Sequence, residues 1–233
     1  HVWLNKYPDA HIATDGVFAW SDTKGTVSTV HVETTVENRS PGQSSFTVSS
    51  FITDRSGKKL VQSKEQPVSL AVNGTVTLKQ TLAVPNARKW SLTDPYLYRV
   101  IAVIKQNGRT TDSVQLRVGI RTIEIKPNGV FLNGEFVKLQ GVNNHQDHAG
   151  LGSALPDYLQ YYRISLLKKM GVNAYRTSHN APTPELLDAC DSLGMLVLDE
   201  QRLLNSSPEY MNQFERLIKR DRNHASVFIW SIG

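Results

Sequence analysis

From Val27 to Val36 the chain reads Val-Ser-Thr-Val-His-Val-Glu-Thr-Thr-Val, β-branched residues alternating with polar ones, whereas beyond residue 156 apolar residues recur at helical spacing between short continuous apolar runs. The first pattern has a period of two and specifies half-buried strands; the second specifies helices alternating with buried strands. This change of period divides the 233 residues into two domains, 1–120 and 121–233, a length that suffices for two separate cores.

In the first domain Phe46–Ile52 repeats the alternation, and Asp54-Arg55-Ser56-Gly57 marks a turn. Val68–Val72 and Val76–Leu82 flank Asn73-Gly74, and Tyr98–Lys105 and Ser113–Val118 flank Gln106-Asn107-Gly108-Arg109. About seven short strands at this spacing, with no helical pattern among them, predict an antiparallel β-sandwich of immunoglobulin type without the usual cysteine pair. His11 and His31 stand alone and suggest no chemistry.

The second domain opens on a hairpin, Gly129–Glu135, turning at Asn133-Gly134 and leading into a strand over Val137–Gly141. Asp157 is placed to cap a helix carrying Leu159, Tyr162, Leu166, Leu167 and Met170, which ends at Gly171. A short strand, Asn173–Thr177, follows. Thr183-Pro184-Glu185 supplies an N-cap, an N1 proline and a first-turn acid for a helix with Leu186, Leu187, Cys190 and Leu193 inward and Gly194 past its end. Met195–Leu198 is a buried strand ending in Asp199-Glu200; Ser207-Pro208-Glu209 opens a third helix, and Val227–Ile232 is the last strand. Strand and helix alternate throughout, which is the pattern of a parallel α/β fold.

Such a repeat fits a doubly wound sheet or half of a (β/α)₈ barrel. No glycine-rich phosphate loop follows the first strand. Asn143–His148, Arg176 with His179, and Asp199 with Glu200 all fall at strand C-terminal ends, where barrels place their sites, and this favours the barrel.

Composition excludes several classes. A chain 39% hydrophobic and 20% charged is that of a folded globular protein. The net charge of +5 is scattered over Lys58-Lys59, Lys168-Lys169 and the alternating Arg220-Asp221-Arg222, so no phosphate-binding stripe and no nucleic-acid partner are expected. Cys190 alone gives no disulfide framework and falls on a helix's apolar stripe as a buried thiol. No apolar run is long enough to span a bilayer, and His1-Val2-Trp3-Leu4 is not a signal-peptide start, so no membrane partner is expected and the compartment is left open.

Several stretches taken in order resemble glycoside hydrolase family 2, the family of β-galactosidases, β-glucuronidases and β-mannosidases. They are Trp90-Ser91-Leu92-Thr93-Asp94-Pro95-Tyr96-Leu97-Tyr98, Val118-Gly119-Ile120-Arg121-Thr122-Ile123-Glu124, Asn133-Gly134, Gly141-Val142-Asn143-Asn144-His145, Arg176-Thr177-Ser178-His179, Asp199-Glu200 and Ile229-Trp230-Ser231-Ile232-Gly233. The resemblance implies an immunoglobulin-like β-sandwich followed by the first half of a TIM barrel. It also implies retaining hydrolysis by two glutamates, about 5 Å apart. Both are expected downstream of Gly233, so the chain is read as a piece ending just before its general acid and inactive alone.

The resemblance makes His179 a donor to sugar hydroxyls and His145 a residue lining the sugar site. Arg176 points to the barrel mouth or lower interior, where a permanent cation can hold a carboxylate, either as a structural ion pair or as a substrate contact. Because alternate residues of a strand face opposite ways, only one of Asp199 and Glu200 can face the lumen; Asp199 is expected there, orienting a neighbour. His145, Asp147, His148 and His179 also admit a metal-dependent barrel hydrolase, though without a His-x-His pair on one strand. A non-catalytic carbohydrate-binding or structural module is the third reading. No cofactor is expected in this chain, though the full enzyme could use a divalent or monovalent cation.

After Asp199-Glu200, Gln201–Ser206 lacks the sugar-binding histidine of many relatives, which leaves the sugar preference open; Asn144, Gln146 and Asp147, which replace other polar residues of relatives, mark a subgroup read as nearer β-galactosidase than β-glucuronidase. The expected substrate is a terminal β-glycoside or β-linked oligosaccharide. Half a barrel leaves strand edges unpaired, so self-association is expected.

Overall fold

The computed structural model describes residues 4–233; His1-Val2-Trp3, part of the stretch read from sequence as unlike a signal-peptide start, lie outside the described residues. Two compact units emerge. One comprises residues 4–87 with Tyr98–Val118, the other Arg88–Leu97 with Gly119–Gly233.

The first unit is a sandwich of two antiparallel sheets. Its strands are β1 (Ala10–Lys24), β2 (Val27–Asn38), β3 (Ser44–Thr53), β4 (Lys59–Gln62), β5 (Gln66–Leu70), β6 (Thr75–Pro85), β7 (Tyr98–Gln106) and β8 (Arg109–Val118). One sheet has the order β1-β2-β6, the other β4-β3-β7-β8 with β5 also on β3. The alternation in β2 is literal: Ser28, Val30, Val32, Thr34, Val36 and Asn38 are buried and the residues that alternate with them are not. The sequence pattern misses β1 because the register shifts between Ile12 and Val17, where Asp15 takes a left-handed φ of 52°. That bulge breaks the period by which a strand is recognised.

The second unit starts with a three-stranded antiparallel sheet of β9 (Ile123–Lys126), β10 (Gly129–Leu132) and β11 (Glu135–Val137). Asn133 (φ 55°) and Gly134 (φ 87°) make the β10–β11 turn as the Asn-Gly pair predicts. The strand expected over Val137–Gly141 is instead divided. Val137 closes β11, and the first parallel strand, β12, is Gly141–Asn143. Asn173 explains the gap, since its side chain donates to the Lys138 carbonyl at 2.9 Å and accepts from the Gln140 amide at 2.8 Å, replacing ladder bonds.

β12, β13 (Ala174–Arg176), β14 (Leu196–Glu200) and β15 (Val227–Ser231) form one parallel sheet in chain order, with α1 (Asp157–Lys169), α2 (Pro184–Leu193) and α3 (Pro208–Asp221) as crossovers. α2 follows its sequence signals: Pro184 opens it, and Gly194, left-handed at φ 72°, closes it against the Leu92 carbonyl where a Cβ would sit 2.5 Å away. α1 differs from expectation. It buries Leu159, Gln160 and Ile164, while Tyr162, Leu166 and Met170 are exposed. With apolar residues on both sides of this helix, spacing alone does not identify the inward face.

The helix-facing side of the sheet packs Ile164, Tyr175, Leu186, Leu187, Cys190, Met195 and Val197. The opposite side packs Ala174, Leu196 and Ala225 against Leu132 of β10 and against Trp90 and Leu97. Ala174 and Leu196 are the first residues of their strands, so this cluster fills the N-terminal end of the sheet and leaves its C-terminal ends open for polar groups. Trp90 is fully buried and donates from Nε1 to the Asp191 carbonyl at 2.8 Å; its close neighbour Gly119 has no room for a Cβ. Replacing Trp90 by Ala is expected to cost about 3–5 kcal/mol in urea unfolding. Trp90→Phe is expected to cost less, about 1–3 kcal/mol, mostly for the buried Asp191 carbonyl left without its donor.

Candidate active site

β13 ends at Arg176 and runs into Thr177-Ser178-His179, whose Ser178–His179 peptide is cis; β14 ends beside it at Glu200. Glu200 is fully buried and accepts at both oxygens: Arg176 Nε donates to Oε2 at 2.6 Å, and His179 Nδ1 lies 2.8 Å from Oε1. From β15 the Ser231 hydroxyl donates to Oε2 at 3.3 Å. The Glu200 amide donates to Thr177 Oγ1 at 3.0 Å, which closes the link between the two strand ends.

Burial pushes the Glu200 carboxyl up, but hydrogen bonds from His179 and Arg176, together with the charges on both, outweigh it and hold the group below the usual carboxylate range. Glu200 is therefore an anion near neutral pH. Its task is to aim two partners, which stay accessible: Arg176 is 30% and His179 49% exposed in their side chains. With Nδ1 committed to the carboxylate, His179 presents Nε2 outward.

The loop after β12 brings His145 to the same place, its ring edge-on to that of His179 with centroids 5.5 Å apart. Arg163 of α1 anchors this loop by donating to the His145 carbonyl at 2.6 Å, and Gln146 accepts from the Thr183 amide at 3.1 Å. Beyond His179, Arg202 donates to Asn180 Oδ1 at 3.1 Å. Three of the residues singled out from sequence, His145, Arg176 and His179, thus converge at one end of the sheet.

Asp199 does not join them. Its carboxyl is fully buried on the other face of β14, among Asp221 and Arg220 of α3 and His224. Strand alternation puts one of the two acids on each side, and the pairing of Asp199 with Trp230 and Glu200 with Ser231 decides which. The lumen-facing, orienting acid is Glu200. Sequence alone misses it because this register is set across strands; the signal that could have found it is that Arg176 and Glu200 lie at equivalent ends of neighbouring strands, a fixed cation opposite an acid.

Among the described residues one group of His, Cys, Asp and Glu has metal-binding proximity: Asp188, Asp191 and His224. Asp191 accepts from the Ser226 amide at 2.8 Å and pairs with His224 Nδ1 at 2.7 Å. His145, Asp147, His148 and His179 form no such group, and His148 Nδ1 lies 3.0 Å from the Ala149 carbonyl.

The profile of glycosyl hydrolases family 2 matches residues 10–121, and that of the family's TIM barrel domain matches 123–207. This chain belongs to glycosyl hydrolase family 2. It is 33% identical to beta-galactosidase BoGH2A of Bacteroides ovatus, over all of this chain and 29% of that protein. It is 30% identical to a putative beta-glucuronidase of Formosa agariphila, over all of this chain and 28% of that protein. The structure of a family 2 member from Bacteroides cellulosilyticus superposes with a TM-score of 0.91 at 32% identity, covering 97% of this chain and 31% of that one. The chain thus spans about three tenths of these relatives, and in family terms it is the sandwich domain and the start of the barrel.

Glu200→Gln removes the charge that Arg176 and His179 share. The expected loss at pH 7 is about 2–4 kcal/mol, less than for a fully buried pair because Arg176 is partly solvated. A carboxyl held below its ordinary value contributes stability above the unfolded value, near 4.5, and loses it as pH falls through the folded one. Urea melts at neutral and acidic pH should therefore show the variant weaker at pH 7 and the difference shrinking in acid.

Proposed function

We propose that this chain supplies the immunoglobulin-like domain and the opening half of the barrel of a retaining, exo-acting glycoside hydrolase that cleaves terminal β-glycosides, β-galactosides foremost. The observation that carries the reading is the Glu200-held pair of Arg176 and His179 beside His145, at the C-terminal ends of parallel strands. Donors fixed from behind by a buried anion lose little freedom on binding, and they suit sugar hydroxyls whose hydrogen bonds strengthen as positive charge develops on the ring. The preference for galactosides rests on the relatives named β-galactosidase.

Glu200 does not serve as the general acid. Such an acid needs its proton near neutral pH, and the Arg176 and His179 contacts favour the anion. We assign the acid and the nucleophile to glutamates outside these 233 residues, and with them self-association and any cation requirement of the whole enzyme. The chain alone is then inactive.

Assay with nitrophenyl β-galactoside and β-glucuronide tests both parts. The 233-residue chain should show no turnover, and hydrolysis that purifies with it would overturn the assignment of the carboxylates. The naturally encoded protein carrying this chain should prefer the galactoside, and His179→Ala in it should lower kcat/KM by roughly 10²–10³. Preference for the glucuronide would overturn the substrate class, and full activity in His179→Ala would overturn the role of the cluster.

A further inference from the structure

The second acid at the end of β14 faces away from the Arg176–His179 cluster. Asp199 is fully buried, and neither of its side-chain oxygens accepts a hydrogen bond. An anion there is strongly disfavoured, because it is shut off from bulk solvent and no protein donor reaches it. The charged groups packed against it are Asp221 and Arg220 from α3 and His224 from the turn into β15.

Both cations serve other carboxylates. Arg220 grips Asp221 with two bonds, Nε to Oδ1 and Nη2 to Oδ2, each 2.6 Å, and Asp221 is itself fully buried. His224 directs Nδ1 at Asp191. What remains within hydrogen-bond reach of Asp199 is the Asp221 carboxyl. Two carboxyls in contact do not both ionise, and the one gripped by arginine keeps the charge.

We infer that Asp199 is a protonated carboxylic acid in the folded protein at neutral pH, donating to Asp221 and acting as a positioning residue that ties the end of β14 to α3. The tie reaches the sugar site by two routes. Glu200 is the next residue along β14, and Arg220 Nη2 also donates to the Pro182 carbonyl at 2.7 Å, three residues past His179. A proton on Asp199 makes the Asp199–Asp221–Arg220–Pro182 chain continuous from strand to loop.

Burial first, then the Asp221 charge, push the Asp199 carboxyl up to about 8, with Arg220 and His224 opposing. Between the ordinary aspartate value and about 8 the folded chain holds a proton that the unfolded chain has released. Stability therefore falls with rising pH across that window and levels off above it.

The test is infrared spectroscopy of the whole chain in D₂O with Asp199→Asn as the control. The carbonyl stretch of a protonated carboxylic acid should be present at pH 7, fade as pH passes about 8, and be missing from Asp199→Asn. Absence of the band at pH 7 in the wild type, or its persistence in the variant, overturns the inference. Asp221→Asn removes the neighbouring charge and should move the fading to lower pH, which decides the matter should Asp199→Asn fail to fold; an unmoved band overturns it. In thermal melts Asp199→Asn should lose a slope of roughly 3 °C per pH unit seen in the wild type between pH 5 and 8. Positioning is read from the His179 imidazole resonance, which should follow the Asp199 titration in the wild type and stay still in Asp199→Asn. A His179 signal blind to that titration would reduce Asp199 to a purely structural acid.

Discussion

The carboxylate of Glu200 holds the C-terminal ends of β13, β14 and β15 to one another. Arg176 and His179 reach it from one side and Ser231 from the other, while its own amide is taken by Thr177. Parallel strands of three to five residues offer few ladder bonds, and their C-terminal ends lack the apolar plug that fills the other end. An ion pair that would be worth little on an open surface matters more here, because Glu200 is fully buried and losing its partners leaves its charge stranded. The same contacts hold Arg176 and His179 in place, so stability of the strand ends and preorganisation of these two donors come from one set of bonds.

At the other end of the sheet the organising group is Asp191 of α2. Its carbonyl accepts from Trp90, and its carboxylate from the Ser226 amide and His224. Burial lowers His224, yet its carboxylate neighbours, Asp191 first, more than offset this and leave it above its ordinary value. Arg121 is driven down to about 10 by burial, with Asp191 opposing, and remains a cation there; it donates to the Ala225 and Val227 carbonyls. Within the stretch Arg220–Ser226, His224 and the Ser226 amide both bond Asp191, and this fixes the chain just before β15. Arg88–Leu97 therefore packs with the barrel strands, although it lies in sequence between two strands of the sandwich.

What sequence discloses depends on whether the deciding contact is local. α2 is legible because a proline opening and a left-handed glycine closure act within a few residues. β14 is legible as a continuous apolar run, and the site's location follows from polar residues gathering at strand ends. The inward face of α1 is not legible, because Ile164 and Leu159 point to the core while Tyr162, Leu166 and Met170 form an equally regular stripe outside it. β1 hides behind its bulge, and the start of β12 behind the side chain of Asn173. Each miss has one cause: a partner distant in sequence overrides the local pattern.

Asp199 and Glu200 show that cause at its sharpest. They are adjacent, nearly alike in chemistry and both fully buried, and composition treats them as equivalent. Alternation along β14 sends Glu200 towards two side chains that serve it, Arg176 and His179, and Asp199 towards Arg220 and His224, already committed to Asp221 and Asp191. Desolvation acts on both in the same direction, so the difference comes from the donors: where they are available the carboxyl ionises and orients them, and where they are taken it is driven towards its neutral form. One strand end can thus carry a charged, site-facing acid and a proton-holding, helix-facing one, with a single residue of register separating the two roles.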